Sequence, residues 1–228
     1  FVINGLLKGC CGSLLVCFPP QGMLLFTSNE ILSVAIAASF AAGLNVYATV
    51  ATLGLLSHVH AFQLPPALHM LGSWPVILVC LALFGLEFFA DKIPVFDLFW
   101  NALNTFVKVP VATLLSYGAA QHLSPGLQVA VAALGGAIAL AAHGSKIAIR
   151  TAVTPSPEPF SNIALSLAED VAAISLTWFA TRHPITAGII VAICLVLAVL
   201  AIRYLVRAFR RMFHQTRTFL QPKSSSLT

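Results

Sequence analysis

PITAGIIVAICLVLAVLAIRYLVRAFRR, residues 184–211, decides the class of this protein. No charge occurs from Pro184 to Ile202, after which Arg203, Arg207, Arg210 and Arg211 follow. A helix of about 20 apolar residues matches the roughly 30 Å hydrocarbon core of a bilayer, so this segment reads as a span ending at a charged interface. The rest of the chain has the same character. Of its 228 residues 59% are hydrophobic and 8% charged, against roughly 25% charged in soluble domains, and the mean hydropathy is +0.94.

Working outward, turn signals at Pro65 and Pro66, Pro94, Ser124 to Gly126, Pro155 to Pro159, and Pro184 separate the apolar runs. They predict six spans, at 31–57, 70–91, 97–120, 127–150, 162–181 and 185–207. The expected fold is all-α, a polytopic transmembrane helix bundle. Residues 1–28 form a poorly defined N-terminal extension with Met23 as the expected true start, 29–208 the transmembrane domain, and 209–228 a basic tail.

Orientation follows from the lysines and arginines, which stay on the cytoplasmic side. With both termini inside, the inner segments hold ten of them, including Lys92, Lys146, Arg150, Arg203 and Arg207, and the outer loops hold only Arg182. The expected location is a bacterial cytoplasmic membrane with both termini cytoplasmic. The third segment carries Asp97, Asn101, Asn104 and Lys108 at helical spacing. It is read as a full span with an inward polar stripe, bent near Pro110, rather than as an interfacial helix.

Six spans divide into two sets of three with opposite orientations, so an inverted 3+3 repeat is compatible with the pattern. Residues 41–43 resemble 141–144, and 86–91 resemble 165–170.

Four of the seven acidic residues, Glu87, Asp91, Glu169 and Asp170, lie in or at the ends of these segments. A charge at the bilayer centre costs roughly 2.5 to 3.5 kcal/mol, so each calls for a partner or a role. Asn45, Thr49 and Thr52 form one stripe of the first span; Asn162, Ser166, Asp170, Ala173 and Thr177 line one side of the fifth. The expected pathway for a proton, ion or small polar solute comprises Asn45, Thr49, Glu87, Asp91, Lys146, Arg150, Asn162, Glu169 and Asp170. The competing structural reading is a set of ion pairs that fix helix register.

Other features carry less chemistry. Cys80 and Cys194 fall mid-span and are expected to pack as small apolar residues. Residues 7–10 depart from a lipoprotein cleavage box because Lys8 stands where a small residue is needed. His58, His60, His69, His122 and His183 fall on the expected outer side without carboxylates and are read as interfacial. The spacing of Ala132 and Gly136 suits close helix packing, within the chain or in a homo-oligomer. The arginine-rich end, with Tyr204, Phe209, Phe213 and Phe219, suits anionic headgroups rather than nucleic acid. Neither a metal-ligand spacing nor a phosphate loop nor a nucleophile elbow occurs, so no catalytic residue, metal or cofactor is assigned. Three readings follow: a small transporter or channel-like protein, a non-transporting scaffold acting through the basic tail, and an intramembrane enzyme using Glu87 and Asp91.

The runs SFAAGLNVYATVATLGLL (39–56), LEFFADKIPVFDLFWNALNTF (86–106) and PSPEPFSNIALSLAEDV (155–171) resemble a membrane family known as domain of unknown function 4126, found mainly in bacteria. The likeness spans Ile31 to Arg211. It supports the membrane assignment, implies no activity, and marks Asn45, Glu87, Asp91, Lys92, Glu158, Asn162, Glu169 and Asp170 as motif positions.

Overall fold

The computed structural model describes residues 28–91, 94–153 and 159–220, and within them the side chains of 29–91, 100, 103–150, 163–207, 210 and 211. Every regular element among the described residues is helical. The order is α1 (Ser28–Leu44), α2 (Val46–His58), a 3₁₀ segment (Pro66–Gly72), α3 (Trp74–Ala90), α4 (Pro94–Ala119), α5 (Pro125–Val153), α6 (Pro159–Arg182) and α7 (Pro184–Leu220). Proline opens four of these helices because its missing N–H falls where the first turn has no acceptor. The prolines read as punctuation in the sequence therefore sit at real boundaries.

By length and composition α5, α6 and α7 can each cross a membrane, and the 3₁₀ segment with α3 can do so as one unit bent by 64°. α4 has 26 residues and runs through Pro110 unbroken. At 1.5 Å per residue it is about 39 Å long, but it is not among the described helices apolar enough to cross by composition. Asn104, Lys108 and Ser116 are buried along it while Phe106 and Leu114 are exposed. The surface of the bundle is apolar, with Leu78, Phe89, Leu167, Ile189 and Val196 all exposed, as a lipid-facing surface requires.

The first expected span does not run through. Along α1, Ser39 Oγ lies 2.7 Å from Ser116 Oγ, near the end of α4, whereas Leu44 O lies 2.9 Å from Lys108 Nζ. Rising numbers in α1 meet falling numbers in α4, so α1 descends from the face that holds the α4–α5 turn. Ser33 packs on Gly188 at the start of α7, which places the beginning of α1 on that same turn face. α2 then climbs back. Tyr47 reaches Asn104, Gly54 packs on Leu71 and Ile77, and the 3₁₀ segment that follows rests on Gly118 and Gln121.

α1 and α2 thus form a re-entrant hairpin with its tip at Asn45. Two helices of 17 and 13 residues replace one span because Asn45 adopts an extended backbone, φ −143° and ψ 105°, and caps α2. The hairpin returns to the turn face at His60, whose positive φ of 55° ends the helical run beyond α2.

This topology corrects two expectations. From α3 to α7 successive helices alternate in direction, so Ser28 and Leu220 lie at opposite ends of the bundle; by length and composition three of these helices, or four with the bent 3₁₀–α3 pair, can cross a membrane, so the six expected spans are not confirmed. The inverted repeat also loses its basis. α1 and α5 run in the same direction whereas α3 and α6 run oppositely, so the two sequence likenesses cannot belong to one inverting operation.

Small residues let the hairpin sit inside the bundle. Ala37, Ala41 and Ala42 are wholly buried, and a Cβ on Gly43 would lie 2.5 Å from Ala139 O. The close spacing of Ala132 and Gly136 is used within the chain, where Gly136 faces Thr113 of α4.

Candidate functional site

The hairpin tip exposes two helix ends inside the protein, and each meets a charge of the opposite sense. The carbonyl end of α1 carries partial negative charge, and Lys108 donates to Leu44 O at 2.9 Å. The amide end of α2 carries partial positive charge, and Asp170 stands there. Asn45 joins the two: its Oδ1 accepts from Ala48 N at 2.9 Å to cap α2, and its Nδ2 donates to Asp170 Oδ1 at 2.9 Å.

Around this tip α3, α4, α5 and α6 contribute a buried cluster. Glu87, in the last turn of α3, accepts from Lys108 at 2.8 Å and from Asn104 at 3.3 Å through Oε1. Asn104 in turn accepts from Tyr47 Oη at 3.1 Å. Asp91 Oδ2 receives Arg150 at 2.7 Å, Lys146 at 3.3 Å and the Ser166 hydroxyl at 3.0 Å. Glu169 Oε2 receives Arg150 at 2.9 Å and Lys146 at 3.1 Å. Lys146 also lies 3.8 Å from Glu87, so one ammonium serves three carboxylates. Its spacing of four from Arg150 puts both cations on one face of α5.

All seven charged groups are at least nine-tenths buried by residue. At roughly 2.5 to 3.5 kcal/mol each, seven unpaired charges would cost on the order of 20 kcal/mol, more than the roughly 5 to 15 kcal/mol that stabilises a domain. Pairing is therefore a condition of folding.

The pairing is nonetheless incomplete. Four carboxylates meet three cations among the described residues, and Asp170 is the one with no cation within ion-pair distance. Glu87 Oε2, Asp91 Oδ1 and Asp170 Oδ2 are buried with no hydrogen-bond partner among the described residues. A buried carboxylate oxygen without a donor is costly enough to call for water, a proton or a cation.

Of the expected pathway residues, Asn45, Glu87, Asp91, Lys146, Arg150, Glu169 and Asp170 come together here. Thr49 does not join them, because its hydroxyl is used by Asn45 O at 2.8 Å. The side chains of Asn162, Lys92 and Glu158 lie outside the described residues. Lys108, Asn104, Tyr47 and Ser166 belong to the cluster but were given no pathway role by sequence reasoning. The α4 stripe was the available signal, since Lys108 follows Asn104 by one turn. Deeper in the bundle the buried His143 lies 2.8 Å through Nε2 from Thr105 Oγ1. His58 stacks edge-on against Trp74, with ring centroids 4.4 Å apart. No group of three metal-ligating side chains occurs among the described residues.

The polar positions of α3 and α6 that meet at the tip fall within residues 32–204, which match the model of a domain of unknown function, DUF4126. The chain belongs to the DUF4126 family. No curated protein and no solved structure matches it. For this DUF4126 chain the family brings no activity, and the chemistry of the site carries the functional reading.

Proposed function

We propose that this DUF4126 protein is a small membrane transporter or channel-like protein that passes a proton, an ion or a small polar solute through the charged cluster at the hairpin tip. The observation that carries the reading is the broken α1–α2 hairpin, whose buried helix ends meet a cluster with a surplus carboxylate. Backbone is interrupted at membrane depth only where it is buried in protein or lines a cavity. Half-helix ends aimed at charged groups are how many transporters build binding sites.

Within this proposal the face opposite the α4–α5 turn is the cytoplasmic one, a reading supported by the placement of the arginines. That side holds Arg203, Arg207, Arg210 and Arg211, and the turn face holds Arg182. A bacterial inner membrane is the setting this distribution favours, with the described chain starting outside and ending inside.

The test is flux in proteoliposomes, comparing the intact protein with Glu87→Gln and Asp170→Asn. A drop of tenfold or more in proton, ion or solute movement supports the reading, and equal flux in all three abolishes it. A scaffold reading also has an observation behind it. α7 has 37 residues, about 55 Å, so it extends well past a 30 Å core with Arg210 and Arg211 exposed. If truncation after Arg207 abolishes binding to anionic vesicles while the carboxylate variants leave flux unchanged, that reading takes precedence.

A further inference from the structure

We propose that Asp170 is the proton-binding station of the cluster, and that Asn45 couples its protonation to the tip of the re-entrant hairpin. The inference rests on the transport reading and names the species that the site takes.

The charges divide by geometry. Lys108 is matched by Glu87 at 2.8 Å. Lys146 and Arg150 are matched by Asp91 and Glu169, all four pairings falling between 2.7 and 3.3 Å. That leaves Asp170, 4% exposed, with Asn45 as its polar partner and with Oδ2 buried and unpartnered among the described residues. An ionised carboxylate so placed keeps the helix-end field and one hydrogen bond, and has no donor among the described residues for its second oxygen. A single proton, the smallest species that removes the surplus charge, needs no coordination shell. The charged and titratable groups around Asp170 are Lys146 and Arg150 from α5, Glu87 and Asp91 from α3, Lys108 from α4, which pairs with Glu87, Tyr47 from α2, whose hydroxyl donates to Asn104, and Glu169 on its own helix. Each of the charged ones already has an opposite charge within 4 Å. Arg203 and Arg207 of α7 are exposed.

Asn45 makes the site more than a sink. The same side chain caps α2 and holds Asp170. A hydronium ion gives its proton to a lone pair on Asp170 Oδ2: one O–H bond forms on the carboxylate, one O–H bond of the hydronium breaks with its electron pair left on the departing water, and the negative charge of Asp170 disappears. The charge-assisted hydrogen bond from Asn45 Nδ2 then becomes a neutral one, roughly half as strong. The grip on the residue that joins α1 to α2 weakens as the proton arrives.

The test is pH-jump infrared difference spectroscopy on the full chain in nanodiscs, which reads carboxyl protonation without requiring transport. The expected result is a protonated-carboxyl component that Asp170→Asn removes, Glu30→Gln leaves, and Asn45→Ala shifts in frequency. Asp170→Glu, which keeps the carboxyl, guards against loss by misfolding: it retains a titrating component at a shifted position. Survival of the component in Asp170→Asn, or insensitivity to Asn45→Ala, overturns the proposal. Flux separates the two readings. Proton uptake at Asp170 with no flux of any kind sinks the transport reading alone, whereas flux undiminished by Asp170→Asn, alongside loss in Glu87→Gln, sinks this one alone.

Discussion

Asn45 and Asp170, 125 residues apart in the chain, are joined at 2.9 Å at the point where the first apolar segment turns back on itself. The bond ties a helix break to a buried carboxylate. Asn45 can do this because its amide offers an acceptor for the Ala48 N–H and a donor for Asp170 at once.

The two uses of that amide are separable. Asn45→Ser keeps a capping oxygen but is too short to hold Asp170; Asn45→Ala loses both. Thermal unfolding in detergent should rank intact above Ser above Ala, with the cap worth about 1 kcal/mol and the bond to the buried carboxylate about 1.5 to 3 kcal/mol. In a double-mutant cycle with Asp170→Asn the losses should be non-additive. Additive losses would mean that the two side chains do not interact.

Lys108 has two acceptors, Glu87 and Leu44 O. Lys108→Met leaves a carboxylate and a helix-end carbonyl buried together, and removing one member of a buried pair costs about 3 to 5 kcal/mol. The combined Lys108→Met and Glu87→Gln variant should recover a good part of that loss, measured as the thermal midpoint. Equal midpoints for the single and double variants would contradict a direct pair.

Packing at the hairpin makes a sharper comparison between glycines. A Cβ at Gly43 would meet Ala139 O at 2.5 Å and Ala142 Cβ at 2.7 Å, whereas one at Gly85 would meet nothing within 4 Å. Gly43→Ala should therefore destabilise by about 1 to 3 kcal/mol through overpacking, and Gly85→Ala should be neutral or slightly stabilising. The reverse order in a thermal-shift assay would place α1 away from α5.

The re-entrant topology is open to direct labelling. In a cysteine-free background, Glu30→Cys and Gln121→Cys should react with a membrane-impermeant maleimide from one side, and Arg211→Cys from the other. Labelling of Glu30→Cys together with Arg211→Cys would show that the first segment crosses the membrane after all.

Much of this protein is legible in its residues. Prolines marked the helix starts, and the face of α6 through Ser166, Asp170, Ala173 and Thr177 is buried as its spacing required, because helical periodicity is a local property. The same holds for Glu87, Asp91, Lys146 and Arg150: charges in apolar segments must be paired, so their residue types alone announced a cluster.

The fold-back at Asn45 was not legible in this way. Apolarity from Ile31 to Ser57 is the same whether the chain passes through the bilayer or turns back within it, since hydropathy records burial and not direction. Thr49 looked like a pathway residue for a related reason: a hydroxyl that closes on its own backbone has the same spacing as one that faces a solute. Sequence by itself determined a helical membrane protein with mutually neutralising buried charges. Only the tertiary structure decided that α1 descends and α2 returns, and with it that Lys108 goes to Glu87 and Leu44, and that Asp170 is the carboxylate left without a cation among the described residues. Those assignments depend on distances between segments far apart in the chain, which no local pattern encodes.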